Sequence, residues 1–433
     1  MSRSVIRSFA AFVGVLVCAL SASAQEGGTY SGYSPYSVYG VGPLHQAGTV
    51  YNQSMGGVGI ASRNNRYLNI MNPAAVTARD SLAFMADFGL TGRASIFNDG
   101  TFRSGNNLFN ISNIALSFPI YGKSAFMIGV TPYSDVGYKF SVQDSDPANI
   151  AESGIKTSVA NGEGSMFQFF TAAGITFWNR LSIGAQYNYV FGNIVRNTQE
   201  TYSSSSMLGH HQSYDFQLQG HSAKFGLQYE QPIGNNVLGI GATYLLSSPL
   251  NGYRKDSFSR IINSGEETPT ESENRITGMN MGSEIGAGVS FRMSDKYRFE
   301  VDYTYSDWSN SGFDAVEGLL NENFSSTAGF SVKAGMEYTP NRNDIRYYMR
   351  RVSYRAGAYF EQSPFVANGK AINDIGVTFG ATFPVFRWYN GITFSVQAGQ
   401  RGVAGGGMVR ERYFGFGVSA NIFDIWFQKP HYE

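Results

Sequence analysis

Charge is scarce in this 433-residue chain. Only 15% of residues are Asp, Glu, Lys or Arg, split evenly into 32 acidic and 32 basic, against about 25% in an ordinary soluble protein. A neutral chain lacks the basic surface on which nucleic-acid binding relies. Long apolar runs are missing too: mean hydropathy is −0.19, which excludes a helical membrane bundle, since each span needs about 20 apolar residues. There is one cysteine, Cys18, and five histidines, with no His-Glu-x-x-His or Gly-x-Ser-x-Gly motif. Catalysis by a zinc-bound water or an activated serine is therefore not indicated, and no cofactor is implied. In place of these, the chain has 33 Phe, 27 Tyr and 51 Gly, a composition that also argues against disorder. Its length suits either about three soluble domains or one large closed β-structure.

Residues 1–24 read as a secretory signal. Arg3 and Arg7 form the basic region, Phe9 to Leu20 the apolar region, and Ala22-Ser23-Ala24 an A-x-A cleavage site. Cleavage near Ala24 removes Cys18, so the exported chain has neither disulfides nor thiolate metal ligands. The alternative, a lipid anchor on Cys18, lacks the small residue normally found before such a site, where Leu16-Val17 stands.

From about residue 81 the chain alternates with period two, as strands with one apolar face do. Tyr297, Phe299, Val301, Tyr303 and Tyr305 alternate with Arg298, Glu300, Asp302 and Thr304; Phe330, Val332, Ala334, Met336 and Tyr338 alternate with Ser331, Lys333, Gly335 and Glu337. The segments run for about twelve residues or more, longer than the usual five or six of a soluble sandwich. Their apolar phase is aromatic-rich, as at a membrane interface. Strands are expected near 81–96, 108–120, 124–143, 165–178, 180–197, 212–231, 236–251, 274–294, 296–309, 325–340, 346–362, 371–386, 390–402 and 408–425. Their connections alternate short and long. Outer-membrane barrels have short periplasmic turns and longer extracellular loops, and a sandwich has no reason to show that alternation. The expected fold is thus an all-β membrane protein: an antiparallel transmembrane barrel of about fourteen strands over 81–427, with a periplasmic tail at 428–433, in the outer membrane.

Residues 25–80 break the strand pattern. They are rich in Gly, Ser, Asn and Tyr, with Pro35, Pro43 and Pro73. A barrel of about fourteen strands is too wide for its own side chains to fill, so it needs an open pore or a plug. Compact elements such as Met55-Gly56-Gly57-Val58-Gly59-Ile60-Ala61 suit an N-terminal plug.

Gly56 to Ala61 followed by Asn72-Pro73-Ala74 before the first long strand, and Tyr354 to Phe360 followed by Ser363-Pro364 and Asp374-Ile375-Gly376, resemble the long-chain fatty-acid transporters of the outer membrane, the FadL family. The resemblance spans the mature chain and implies a plugged fourteen-stranded barrel. Asn72, Pro73 and Ala74 would be its plug motif. It also implies passage of hydrophobic molecules through a wall gap at a kinked third strand. Here Pro132 interrupts that strand, with Tyr133 and Gly137 beside it; proline cannot donate to the ladder and glycine often marks a bulge. The outward phase is read as continuous across the interruption, from Phe126, Ile128 and Val130 to Val136, Tyr138 and Phe140. The plainer alternative is a proline at the barrel rim.

The inward phase offers Met85, Met166, Phe170, Leu245 and Tyr359, either an apolar path or packing against the plug. Arg351, Arg355 and Lys333, with Glu300 and Asp302 on nearby strands, either hold a substrate carboxylate or, more simply, pair with one another. Partners follow from the same resemblance: a fatty-acid-like molecule, outer-membrane lipid, and, for a non-transporting relative, other subunits of an outer-membrane assembly or secretion complex. A polar diffusion porin is disfavoured by the plug-like segment.

Overall fold

In the computed structural model the described residues are 32–79, 83–144, 146–204, 207–262, 265–319, 324–385 and 390–425. The signal region, Cys18, the cleavage site, the short connection expected between 386 and 390, and the C-terminal tail lie outside them. Among the described residues no helix is long and apolar enough to cross a membrane.

Fourteen antiparallel strands close on themselves, three of them interrupted once. They are β1 (Ala83–Asn98), β2 (Arg103–Pro119), β3 (Ser124–Gln143), β4 (Lys156–Phe177), β5 (Leu181–Tyr202) and β6 (Gly209–Ile233). Next come β7 (Asn236–Leu245 with Ser248–Ile262), β8 (Thr270–Met281 with Ser283–Met293), β9 (Tyr297–Asp307) and β10 (Phe324–Ser326 with Ala328–Tyr338). The circuit ends with β11 (Ser353–Ala367), β12 (Lys370–Pro384), β13 (Gly391–Arg401) and β14 (Arg410–Ile425). Closure is made by β1 against β14, in register from Ala83–Ile425 to Asn98–Arg410. Closing the sheet removes its unpaired edges, the condition for a sheet to live in lipid.

The period-two pattern becomes a wall with two faces. Phe88, Phe225, Leu227, Phe299, Val301 and Tyr303 are exposed on the outside, where a lipid belt belongs, while their neighbours Asp87, Gln228, Glu300 and Asp302 are buried inside. Short turns have the chemistry that tight hairpins require: Gly234 has φ +60°, and Asn179 and Asp295 also sit at positive φ.

Several boundaries differ from the sequence pattern. The connections expected at 198–211 and 252–273 are largely strand, and β6 alone is 25 residues long, where about 9–11 would span a bilayer. These extensions are rich in Ser, Thr and Glu; cross-strand pairing holds them where hydrophobic alternation gives no signal. The 141–164 connection contains a short helix, Pro147–Ser153, capped by Asp146. The strand expected from 346 begins only at Ser353, because Tyr348–Arg350 form a 3-10 turn. Arg351 therefore stands in a turn with its guanidinium 4.8 Å from the Tyr348 ring, not in the lumen wall.

Candidate functional site

The third strand is where the barrel departs from regularity. Between β2 and β3 the ladder runs only from Ile114–Val130 to Pro119–Ala125, six pairs, whereas β3 and β4 share nineteen. Beyond Val130 no further β2–β3 pairing is made among the described residues. The register of β3 on β4 shifts between Pro132 and Ser134, so Tyr133 is the extra residue of a bulge.

One inserted residue turns every following side chain to the other face. Hence Val136 and Tyr138, read from sequence as lipid-facing, are 0% and 6% exposed and pack inward beside Met166 and Val41. The continuous outward phase is corrected accordingly. Gly137 is not the bulge. A Cβ there would lie 1.6 Å from the Gly32 carbonyl oxygen; the glycine makes room for another piece of chain.

That piece is the segment from residue 32 to 45, which takes up hydrogen bonds that β2 leaves unmade. Ser34 N–H donates to Gly137 O (3.0 Å), and His45 N–H to Tyr133 O (2.9 Å). The Ser37 hydroxyl donates to Gly137 O (2.8 Å) and accepts from Gly137 N–H (3.1 Å). Leu44 bridges to Ser134 in antiparallel register, and His45 Nε2 lies 2.5 Å from Asp135 Oδ2.

Farther along, the N-terminal segment is held by the wall at several points. Asn72 is fully buried. Its Oδ1 accepts from Ala74 N–H (3.0 Å), capping the 3-10 helix Pro73–Thr77, while its Nδ2 donates to Ile60 O (2.8 Å), Leu227 O and Ala242 O (both 3.3 Å). Gly226 of β6 lets this side chain approach, since a Cβ there would be 2.0 Å from Asn72 Oδ1. Asn-Pro-Ala is thus a cap that also clamps the segment to two wall strands. Asn72→Ala leaves buried acceptors unpaired, so we expect a loss of about 2–4 kcal/mol, read as a lower midpoint in thermal unfolding of the detergent-folded barrel. A shift below about 0.5 kcal/mol would remove the clamp role.

The lumen charges serve the same anchoring. Asp302 Oδ2 accepts from Gly59 N–H (2.6 Å) and Ile60 N–H (2.9 Å). Arg355 donates through Nε to Glu337 (2.8 Å) and lies 4.1 Å from the Tyr51 ring and 5.1 Å from that of Tyr67. Glu300 sits 3.5 Å from Arg298. Lys333 is buried, its stem beside the space over Gly57. Pairing of these charges within the wall and onto the segment is what the structure brings together.

Met85 and Phe170 pack with Leu68, Ile70 and Val76 of the segment. Met166 belongs to a second cluster, where Trp308, Phe313, Leu319 and Phe365 fold over the long-loop end. Phe170 and Leu245 also line a cavity of about 270 Å³ that reaches Thr131, Pro132 and Tyr133 at the β3 bulge and Leu44 of the segment. Its lining is mixed, with Gln168, Gln186, Asn188 and Lys224 among the apolar groups. Tyr359 lines a smaller cavity of about 170 Å³; its hydroxyl bonds that of Tyr413, which donates to Asp374 (2.5 Å). Arg401 completes this network with Asp374 at 2.9 Å. Sequence reasoning missed the Asp374–Arg401–Tyr413 network and the His45–Asp135 contact, because strands far apart in sequence carry them and only the register joins them. Among the described residues no group of three or more His, Cys, Asp or Glu is placed to hold a metal.

A closed fourteen-strand barrel with a bulged third strand is a FadL-like β-barrel fold. A family model described as BamG matches residues 5–433, and the chain belongs to the BamG family. No curated protein matches it. Among solved structures, it is similar to the toluene transporter TodX of Pseudomonas putida at 15% identity and TM-score 0.61, covering 87% of this chain and 98% of that one. The monoaromatic hydrocarbon channel CymD gives 15% identity and TM-score 0.59, covering 86% and 96%. A FadL homologue of Pseudomonas aeruginosa gives 11% identity and TM-score 0.58, covering 89% and 99%. At these identities the likeness is one of fold.

Proposed function

We propose that this barrel exchanges a hydrophobic, fatty-acid-like molecule between its lumen and the outer-membrane lipid through the gap between β2 and β3, with residues 25–80 acting as plug and gate. The observation that carries this reading is the six-pair β2–β3 ladder, with a cavity reaching Pro132 and Tyr133 directly behind the gap. Phe170 and Leu245 would offer the molecule apolar contacts on the way in, each buried CH₂ contributing about 0.8 kcal/mol. The cavity is small and partly polar, so the 32–45 segment must move aside before a long chain could enter. The proposed cycle has the segment leave β3, the molecule pass sideways, and the segment re-form its hydrogen bonds.

A second reading is favoured by the same segment. The 32–45 segment bonds to β3 where β2 pairing ends, Arg355 and Asp302 are engaged with Glu337 and the segment, and the long-loop end is covered by an aromatic cluster, as suits a closed barrel serving as a subunit of an outer-membrane assembly or secretion complex. Membership of the BamG family, with the transporters related only by fold, is consistent with it.

One experiment separates the two. Leu44→Cys and Ser134→Cys together place a thiol pair across an antiparallel bridge, where Cα atoms lie about 5 Å apart and a disulfide can close. In vesicles, uptake of a fluorescent fatty acid should occur with the reduced pair and fall at least tenfold on oxidation. Uptake no greater than that of empty vesicles in the reduced state, with a partner protein retained stoichiometrically on gentle extraction, would establish the subunit role instead.

A further inference from the structure

The short-turn end of the barrel holds a feature that neither reading uses. An open pocket of about 360 Å³ there is lined by Arg63, Arg66, Arg79, Arg292, Arg298 and Arg342, with Glu230 and Asp295 as its acidic lining among the described residues. It shares no lining residue with the cavity behind the wall gap.

The arginines come from two sources. Arg63, Arg66 and Arg79 flank the Asn72 clamp on the N-terminal segment, whereas Arg292, Arg298 and Arg342 stand at the ends of β8, β9 and β10. Clamping the segment to the wall therefore assembles the cluster. Four of the six contact carboxylates: Arg63 with Glu230 at 3.2 Å, Arg292 with Asp295 at 3.8 Å, Arg298 with Glu300 at 3.5 Å and Arg342 with Glu337 at 3.2 Å. Glu337 is also the partner of Arg355, so among the described residues the guanidiniums outnumber the carboxylates. Among the described residues Arg79 donates to carbonyls and to Ser117, not to an acid. Moreover, the Nε atoms of Arg298 and Arg342 are buried without a hydrogen-bond partner, and Arg298 is only 3% exposed. Unpaired buried donors are costly, and forks of guanidinium donors match the oxygens of a phosphate in paired geometry.

We propose that this pocket binds a phosphate group at the periplasmic mouth, whether carried by a lipid headgroup or by a free anion. A dianion satisfies the excess positive charge better than a single carboxylate, and several forks can grip its oxygens together. Bound phosphate would tie the Arg63–Arg79 stretch to β8 and β9, adding a hold on the segment that the protein alone does not have.

The test uses the full chain purified in detergent, titrated calorimetrically with inorganic phosphate and, separately, with dihexanoyl phosphatidic acid. Saturable binding of one or both is expected, weakening with added salt as screening requires. Arg292→Gln is the informative variant, because its one acidic contact is a loose one with an exposed turn residue; it should weaken binding about tenfold while the barrel keeps its thermal midpoint. Arg342→Gln should weaken it comparably. Tighter binding of phosphatidic acid than of phosphate would assign the lipid headgroup, and the reverse the free anion. Failure of both probes to bind, binding unchanged in Arg292→Gln, or binding only of an oligoglutamate peptide would overturn the proposal.

Discussion

Gly137→Trp should detach the 32–45 segment from the third strand and leave the wall open. The Gly137 Cβ position is 1.6 Å from the Gly32 carbonyl oxygen and 3.3 Å from the Tyr33 Cα, so no rotamer of a bulky side chain leaves the segment in place. The change removes at least three hydrogen bonds, those joining Gly137 to Ser34 and Ser37. At about 1 kcal/mol each, the segment loses about 3 kcal/mol of attachment, or roughly a hundredfold in its bound population. The expected readout is limited proteolysis of folded barrels: cleavage between residues 32 and 45 should accelerate by that order, while the strands stay resistant. Under the exchange reading, fatty-acid uptake should rise in parallel. Cleavage at the wild-type rate would show that Gly137 does not hold the segment.

The second large effect is expected at Arg355. Its guanidinium is completely buried, bonded to Glu337 and to Thr382 (2.8 Å), and stacked against Tyr51 and Tyr67. Truncation to Ala removes these contacts and leaves Glu337 in the wall with Arg342 as its remaining close basic partner. Breaking a buried pair from one side costs about 3–5 kcal/mol. Arg355→Ala should therefore lower the unfolding midpoint strongly and loosen the N-terminal segment with it. The double variant Arg355→Met, Glu337→Gln removes both charges and should recover a large part of the loss, since an apolar replacement of a buried pair is often near neutral. If Arg355→Ala costs less than 1 kcal/mol, the pair is not an anchor. If the double variant is no better than the single one, packing on the tyrosines carries the effect rather than charge.

Both variants probe the same design. The wall keeps small residues where the segment comes closest: a Cβ at Gly357 would lie 2.3 Å from Gly56 N, and one at Gly184 2.3 Å from the Pro73 carbonyl carbon. Charges and amides lie between these contacts. A segment held by many weak, specific bonds stays in place in a closed barrel, yet can be released in part without unfolding strands that are paired on both sides.

Much of this was legible in the chain itself. Alternation such as Tyr297 to Tyr305 fixes which face meets lipid, because a strand has period two and a charge in hydrocarbon is costly. Connection lengths fix up-and-down topology, since a barrel needs neighbouring strands joined at alternating ends. Asn72-Pro73-Ala74 and Pro132 stood out because an aspartamide-type cap and a missing N–H act locally. Tertiary structure alone decided the rest. The Tyr133 bulge reverses the face of Val136 and Tyr138, because register depends on the partner strand and not on the chain's own pattern. Arg351 leaves the wall because a local turn outcompetes the strand. Whether a buried charge meets a ligand, a neighbour or the N-terminal segment is set by which distant strands close beside it, and one residue's own chemistry carries no record of that.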